Sequence, residues 1–310
     1  MKKDSKIYVA GHRGLVGSAI VRNLEKKGYT NIIIKTHSEI DLTRQCEVED
    51  FFRKERPEYV FLAAAKVGGI NINNKKPAEF IYENIQIASN VIHSAHLFGV
   101  EKLLFLGSSC IYPKYAKQPI DEDELLCGKL EETNEAYAIA KIAGLEMCKF
   151  YMREYGDCFI SCMPPNLYGI NDNFDLETSH SLPAFIRKLY EAKINNAPYV
   201  EFWGTGSALR EYMYVDDMAD ACIFLMQNYN EEQHINVGTG EDITIKDLIA
   251  LINKYVGYAG EIRWDTTRPD GHPRKLTNVS KLHALGWKHQ YSLEQGIEES
   301  YKWFLQNIVC

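Results

Sequence analysis

The sequence predicts an α/β protein: a doubly wound parallel sheet with a smaller, discontinuous C-terminal unit. Three observations lead there. Short apolar runs alternate with helical patterns through the first half of the 310 residues, an alternation that requires a parallel sheet covered on both faces. A glycine-rich turn joins the first apolar run to the first helical pattern. After about Met163 the alternation breaks into proline- and asparagine-rich loops and mixed elements.

The elements follow in order. Residues 6–10, Lys-Ile-Tyr-Val-Ala, form a first strand, and 16–27 the helix behind it. The Ile-rich run 31–35 is a second strand, followed by a helix over 45–55. The run 59–62 is a third strand, followed by a long helix over 77–98. The run 102–106, Lys-Leu-Leu-Phe-Leu, is a fourth strand. A helix over 135–155 and a strand over 159–163 complete the alternating half. Pro164-Pro165-Asn166 and 169–173 are loop chemistry. Beyond them come a helix over 183–192, a strand over 199–202, a helix over 215–227, a strand over 235–237 and a helix over 244–256. A polar, turn-rich stretch spans 265–274, and 293–306 is a closing helix. The expected division is a first domain of residues 1–168 with returning segments near 212–240, and a second of 169–211 and 241–310.

Composition narrows the function classes. The chain is 45% hydrophobic and carries a formal charge of −7, so it can bury a core, and no basic run suggests nucleic acid. No stretch of about 18 apolar residues marks a membrane span, and the N-terminus enters the first strand with no room for a signal peptide. Eight cysteines are scattered at 46, 110, 127, 148, 158, 162, 222 and 310, without a C-x-x-C pair. Reduced thiols and a cytoplasmic location are expected. No metal site is expected either. His93 and His96 share a helix face, where packing or surface roles suit them better than ligation.

The chemistry lies at the ends of the strands. Gly11, Gly14 and Gly17 sit at the first strand-to-helix joint. Glycine there permits a tight turn, close approach of backbone N–H groups to a pyrophosphate, and close helix–strand packing. The helix N-terminus favours the anion. This is the signature of a Rossmann-type sheet. Tyr137 and Lys141 stand four residues apart on one helix face, and an ammonium beside a phenol favours the phenolate. Such a tyrosine exchanges a proton with a carbonyl or alcohol, and Ser108, after the fourth strand, supplies a hydroxyl to the same oxygen. The glycine turn, Ala63-Ala64-Ala65 and Ser108 all follow strands of one sheet, so these groups converge on its carboxyl edge, where ligands bind in such folds.

Gly11-x-x-Gly14-x-x-Gly17 with Ser108 and Tyr137-x-x-x-Lys141 resembles the extended short-chain dehydrogenase/reductase family. Longer blocks narrow the resemblance. They are Gly11-His12-Arg13-Gly14, Ala63-Ala64-Ala65-Lys66-Val67-Gly68-Gly69, Leu106-Gly107-Ser108-Ser109-Cys110-Ile111-Tyr112-Pro113, Tyr137 to Gly144, Asn166-Leu167-Tyr168-Gly169, Val215-Asp216-Asp217, Asn236 to Gly240 and Pro269-Asp270-Gly271. They are similar to the sugar-nucleotide branch that epimerises C3 and C5 of GDP-4-keto-6-deoxy-D-mannose and reduces C4 to give GDP-L-fucose. The resemblance covers nearly the whole chain. It implies a GDP-sugar substrate, a homodimer through the helices near 77–98 and 135–155, and a second catalytic pair. That pair is Cys110, two residues after Ser108, and His180. A thiol and an imidazole have ordinary pKa values of about 8.5 and 6.5, which suits a base and an acid on opposite faces of a sugar. Two other readings share the motifs: a nucleotide-sugar 4-epimerase or dehydratase, and a dinucleotide sensor without turnover.

The second strand ends in Lys35-Thr36-His37, where a carboxylate would hold an unphosphorylated ribose. Arg13 can reach the same ribose, so NADP(H) is the expected cofactor. The resemblance places the cofactor against the glycine turn, including His12, Leu15 and Val16, and against Lys35, His37, Asp41, Leu42 and Ala64. It adds Leu106, Gly107, Ser108, Ser109, Tyr137 and Lys141, then Pro164, Pro165, Asn166, Leu167 and His180. Pro165 replaces the family's usual Thr and removes a hydroxyl and an N–H. For the sugar nucleotide the resemblance implies Ser109, Cys110, Asn166, Lys188, Trp203, Arg210 and Asp270.

Overall fold

The apolar run at the N-terminus forms a central strand, β1 (Ile7–Ala10), because side chains on both of its faces have somewhere to go. Ile7 and Val9 enter one apolar layer, and Tyr8 and Ala10 the other. The computed structural model describes residues 1–268 and 271–309. In the first half, α1 (Leu15–Lys26), β2 (Ile32–Ile33), α2 (Gln45–Glu55), β3 (Tyr59–Leu62), α3 (Ile70–Lys75), α4 (Pro77–Leu97), β4 (Lys102–Leu106), α5 (Glu135–Tyr155) and β5 (Cys158–Met163) follow β1. The second half contains β6 (Asn166–Tyr168), α6 (Ser181–Ile194), β7 (Tyr199–Trp203), β8 (Leu209–Tyr214), α7 (Val215–Asn228), β9 (Ile235–Asn236) and β10 (Asp242–Thr244). It closes with α8 (Ile245–Val256), β11 (Glu261–Asp265), β12 (Arg274–Lys275), α9 (Ser280–Ala284) and α10 (Leu293–Asn307).

Six strands make one parallel sheet in the order β2-β1-β3-β4-β5-β9. Helices α1 and α7 cover one face, through Ala19, Ile20, Leu24, Met218, Ala219 and Cys222. Helices α2, α4 and α5 cover the other, through Phe51, Phe52, Val91, Ile92, Leu145 and Cys148. The fold class read from the alternation is therefore the one observed. Chain order reverses across β1 and β3, and the loops after these strands open a crevice at their carboxyl ends.

A third apolar cluster lies beyond the sheet. Helices α6, α8 and α10 pack Leu182, Ile186, Leu189, Leu248, Ile252, Ile297 and Phe304 around Phe202 and Tyr212. Strand β8 is the hinge-pin of this region. Its first half pairs with β10 and β12, and its second half with β6. Strands β7 and β11 form a separate parallel pair. The sequence reading omitted β6, β8, β10, β11 and β12. These strands are two to six residues long, and pairing between distant segments, rather than local apolar pattern, creates them.

Candidate active site

The loops at the carboxyl edge enclose a cleft of about 880 Å³. The glycine turn forms its floor. Gly11 adopts a φ of +85°, and a Cβ on it would stand 2.7 Å from the backbone of Ala64. A Cβ on Gly17 would stand 2.1 Å from the Gly11 carbonyl oxygen. Helix, turn and β3 loop are thus in near-contact, which leaves the N-terminus of α1 facing the cleft with no side chain in between. Leu15, Val16, Ala64, Leu106 and Gly107 line the same cavity.

Arg13, Lys35 and His37 border one end of the cleft. The carboxylates nearby are already engaged, Glu39 in part with Lys35 itself, whose Nζ lies 3.5 Å from its Oε1. Glu39 accepts from the Thr36 backbone N–H at 2.8 Å and its hydroxyl at 2.7 Å, bonds that hold its carboxyl down at about 2. One oxygen of Asp41 accepts from the Thr43 N–H and hydroxyl, at 2.9 and 2.7 Å. Leu42 is held by Asn90, whose amide donates to its carbonyl at 3.0 Å. A cationic rim is left at the ribose end.

Ser108 lies two residues past the end of β4 and caps a short 3₁₀ turn over 109–111, its Oγ accepting from the Cys110 N–H at 3.2 Å. Tyr137 and Lys141 rise from the first turns of α5. Lys141 is 5% exposed; its Nζ donates to the Leu106 carbonyl at 2.7 Å and lies 4.8 Å from the centre of the Phe105 ring. A Cβ at Gly144 would stand 2.5 Å from that ring, so a glycine here is what lets α5 sit close enough to bring Lys141 to β4. Burial pushes the Lys141 amine down to about 8. Burial and the neighbouring Cys110 push the Tyr137 phenol above its ordinary value, and the Ser108 hydroxyl opposes them. The sequence reading had the ammonium favouring the phenolate. Here burial raises the phenol, the opposite direction to the one the ammonium would give, and a raised phenol suits a proton donor.

Cys110 lies beside Ser108, and its sulfur meets two N–H donors: Lys275 Nζ and Asn134 Nδ2, each at 3.3 Å. Burial raises the thiol, but Lys275, Ser108 and Arg210 together bring it below its ordinary value. His180 caps α6 and lines the same cleft from another element. The surrounding walls and the Lys275 charge hold its imidazole below the usual range. Ser109, Pro164, Pro165, Asn166, Leu167 and Arg210 also line the cavity. The Pro164 carbonyl accepts from the Ser109 N–H at 3.0 Å, and the Asn166 amide donates to the Glu211 carbonyl at 2.9 Å.

Two expected residues stand apart. Lys188 donates to the Glu201 carbonyl at 3.3 Å, and Trp203 is 56% exposed under the Arg268 guanidinium; neither lines the cleft. Asp270 lies outside the described residues. Sequence reading missed Asn134, Glu131, Asp172, His272 and Lys275, which all line the cleft. Lys275 stands four residues past the end of the Pro269-Asp270-Gly271 block, and only β12–β8 pairing carries it to Cys110. His93 and His96 are satisfied by Tyr151 and Asp157, each at 2.7 Å. Among the described residues no group of His, Cys, Asp or Glu is placed to hold a metal, and no helix is long and apolar enough to cross a membrane.

A glycine cradle at a helix N-terminus, with serine, tyrosine and lysine at the adjoining strand end, defines an extended short-chain dehydrogenase/reductase. The chain belongs to the NAD dependent epimerase/dehydratase family, which matches residues 7–238. It is 59% identical to a putative GDP-L-fucose synthase 2 of Arabidopsis thaliana, over 100% of this chain and 94% of that one. Among solved structures it resembles a GDP-6-OMe-4-keto-L-xylo-heptose reductase from C. jejuni, with a TM-score of 0.95 and 40% identity over 99% of each chain. It also resembles a Campylobacter jejuni GDP-mannoheptose C4 reductase with NADP bound, with a TM-score of 0.90 and 41% identity over 98% of this chain and 99% of that one.

Proposed function

We propose that this chain converts GDP-4-keto-6-deoxy-D-mannose to GDP-L-fucose, by epimerising C3 and C5 and then reducing C4. The observation that carries the reading is the Cys110 sulfur, held by Lys275 and Asn134 at the edge of a Ser108–Tyr137–Lys141 set. A plain C4 reductase has no use for it. The fucose synthase likeness over the full chain supports the same sugar.

The cleft fits NADP(H). Buried polar atoms on its walls, His12 Nδ1, Asp172 Oδ2, Ser179 Oγ and Asn134 Oδ1, have no partner within the protein, and a polar ligand would satisfy them. The glycine cradle suits a diphosphate, and Arg13, Lys35 and His37 suit a 2′-phosphate. When bound, the dinucleotide supplies hydride to C4. Lys141, Leu106, Gly107, Pro164, Pro165, Leu167 and His180 would border its nicotinamide end.

The 4-keto group acidifies the protons on C3 and C5. Cys110 as thiolate takes such a proton: the C–H bond breaks, an S–H bond forms, and the electron pair moves onto the C4 oxygen. Ser108 and Tyr137 hydrogen-bond that oxygen. His180, having taken a proton from solvent, gives it to the carbon from the other face as the electron pair returns from the C4 oxygen, and the Cys110 thiol releases its proton to solvent before the second centre is inverted. Once both centres are inverted, Tyr137 donates its phenolic proton to the C4 oxygen as the carbonyl is reduced. Arg210, in the cleft lining, would contact the diphosphate; for Lys188 and Trp203, which stand outside the lining, and for Asp270 a place on the nucleoside side rests on the family resemblance alone. In this reading residues 1–168 and the segments near 212–240 hold the dinucleotide, and 169–211 with 241–310 hold the sugar nucleotide. Exposed Tyr82 and Leu97 on α4, and Ile139, Phe150 and Tyr155 on α5, support a homodimer, and the scattered free thiols suit the cytoplasm.

The likeness to heptose C4 reductases favours one other reading, reduction without inversion. Deuterium separates the two. Wild-type protein with GDP-4-keto-6-deoxy-D-mannose in D₂O should place deuterium at C3 and C5, and GDP-L-fucose should form with NADPH. Cys110→Ser should stop the exchange and yield an unepimerised 6-deoxy sugar if it reduces at all. Normal exchange in Cys110→Ser would remove the assigned base. Tyr137→Phe should keep the exchange but lose roughly 10²–10⁴ in NADPH oxidation, the usual worth of a placed proton donor. A small loss would mean that another group protonates the C4 oxygen.

A further inference from the structure

We propose that Lys275 activates the epimerising centre by holding Cys110 as a thiolate. The proposal rests on the reading of Cys110 as the sugar's base. A neutral thiol seeks an acceptor for its proton, whereas a thiolate seeks donors. The Cys110 sulfur meets the Lys275 ammonium at 3.3 Å and the Asn134 amide at 3.3 Å. The hydroxyl of Ser108 adds a third stabilising contact. These are the surroundings of an anion.

The fold fixes the cation there. Lys275 pairs with Arg210 across β12 and β8. On one side of it Arg274 is clamped to Asp242 at 2.5 Å. On the other, Thr277 donates its N–H and hydroxyl to Glu211, at 2.9 and 2.6 Å. The charged and titratable groups around the sulfur are Lys275 and Arg210 from the paired strands and Tyr137 from α5. His180 feels the same Lys275 charge from α6. Glu131, a carboxylate of the cleft lining, is bound to Lys114 at 2.9 Å and lies 3.9 Å from His272, so it does not cancel the lysine. One cation therefore biases both members of the pair, lowering the thiol and the imidazole together. Removing it should move both toward higher pH, which a purely structural lysine would not do.

The test reads the thiol directly. Iodoacetamide alkylation of the Cys110 peptide is followed by mass spectrometry from about pH 6 to pH 9, in wild type, Lys275→Met and Lys275→Arg. Lys275→Met should shift the alkylation midpoint upward and slow the reaction at pH 7 about tenfold or more, since each pKa unit is tenfold in thiolate. Lys275→Arg should stay near wild type. Deuterium entry at C3 and C5 should fall in parallel in the methionine variant and recover at higher pH. An unchanged alkylation midpoint in Lys275→Met overturns the proposal. A shifted midpoint with unchanged deuterium entry leaves Lys275's hold on the thiol intact and removes Cys110 as the base. If the methionine variant does not fold, the wild-type profile decides alone: a midpoint at or above the free-thiol value of about 8.5 overturns the proposal.

Discussion

Asp172 shows how a single side chain departs from its ordinary chemistry when the fold withdraws water. It is 9% exposed, its Oδ2 has no protein partner, and burial pushes its carboxyl up to about 7 from 3.8. A raised acid holds its proton more tightly in the folded state. The folded protein is therefore favoured below about pH 4 by this group, and the advantage is lost as pH rises through about 7. The full difference is about 4 kcal/mol. Asp172→Asn, which keeps an acceptor for the Asn173 N–H, should stabilise the protein without bound nucleotide at pH 8 relative to pH 5. Calorimetry across that range should show the gap to wild type widening by several degrees. A constant gap would mean that the carboxyl does not titrate there.

At the scale of elements, the second sheet hangs on one carboxylate. Glu211, fully buried on β8, accepts from the Thr239 and Gly240 N–H groups through Oε1, at 2.8 and 2.9 Å, and from Thr277 through Oε2. Burial raises its carboxyl, and the four donors pull the other way. It joins three segments that meet nowhere in the sequence, and it lies next to Arg210. Glu211→Gln would point an amide N–H₂ at groups that are themselves donors. The expected cost is about 2–4 kcal/mol, read by urea unfolding. Epimerisation should fall more than nicotinamide binding, because β8 and β12 carry Arg210 and Lys275 whereas the glycine cradle lies on β1. A stability equal to wild type would show that the staple carries no weight.

At the scale of the molecule, α4 and α5 cover the sheet on their inner sides and expose several large apolar side chains among charged ones outside. Ile139 is 41% exposed and Phe150 50%. Rims of this kind mark association surfaces. Two α4–α5 faces meeting would bury them, and the Tyr137–Lys141 helix would then be rigid from both sides. Light scattering should give wild type about twice its chain mass of 35.5 kDa. Ile139→Glu with Phe150→Glu should give the single-chain mass with the helical signal preserved. A wild-type monomer, or a dimer indifferent to both changes, would place the contact elsewhere.

Local pattern was enough for most of the large sheet, because β1, β2, β3 and β4 are apolar runs each followed by a helix. It determined the cradle as well, because Gly11, Gly14 and Gly17 act where they stand in the chain. Ser108, Tyr137 and Lys141 were legible as types and spacings, Cys110 and His180 through the family resemblance, and the cleft brings all five together. Their titration depends on the packing around them. The Tyr–Lys spacing suggested a phenolate; burial, which no spacing encodes, raises the Tyr137 phenol and brings the Lys141 amine down to about 8. Strands β8 and β12 were illegible, since they exist through pairing with segments distant in the chain, 65 residues apart where they pair with each other. For the same reason Lys275 was invisible as a partner of Cys110, 165 positions away. Local pattern specifies elements, whereas desolvation and long-range pairing specify charge, and in this cleft charge decides which groups give and take protons.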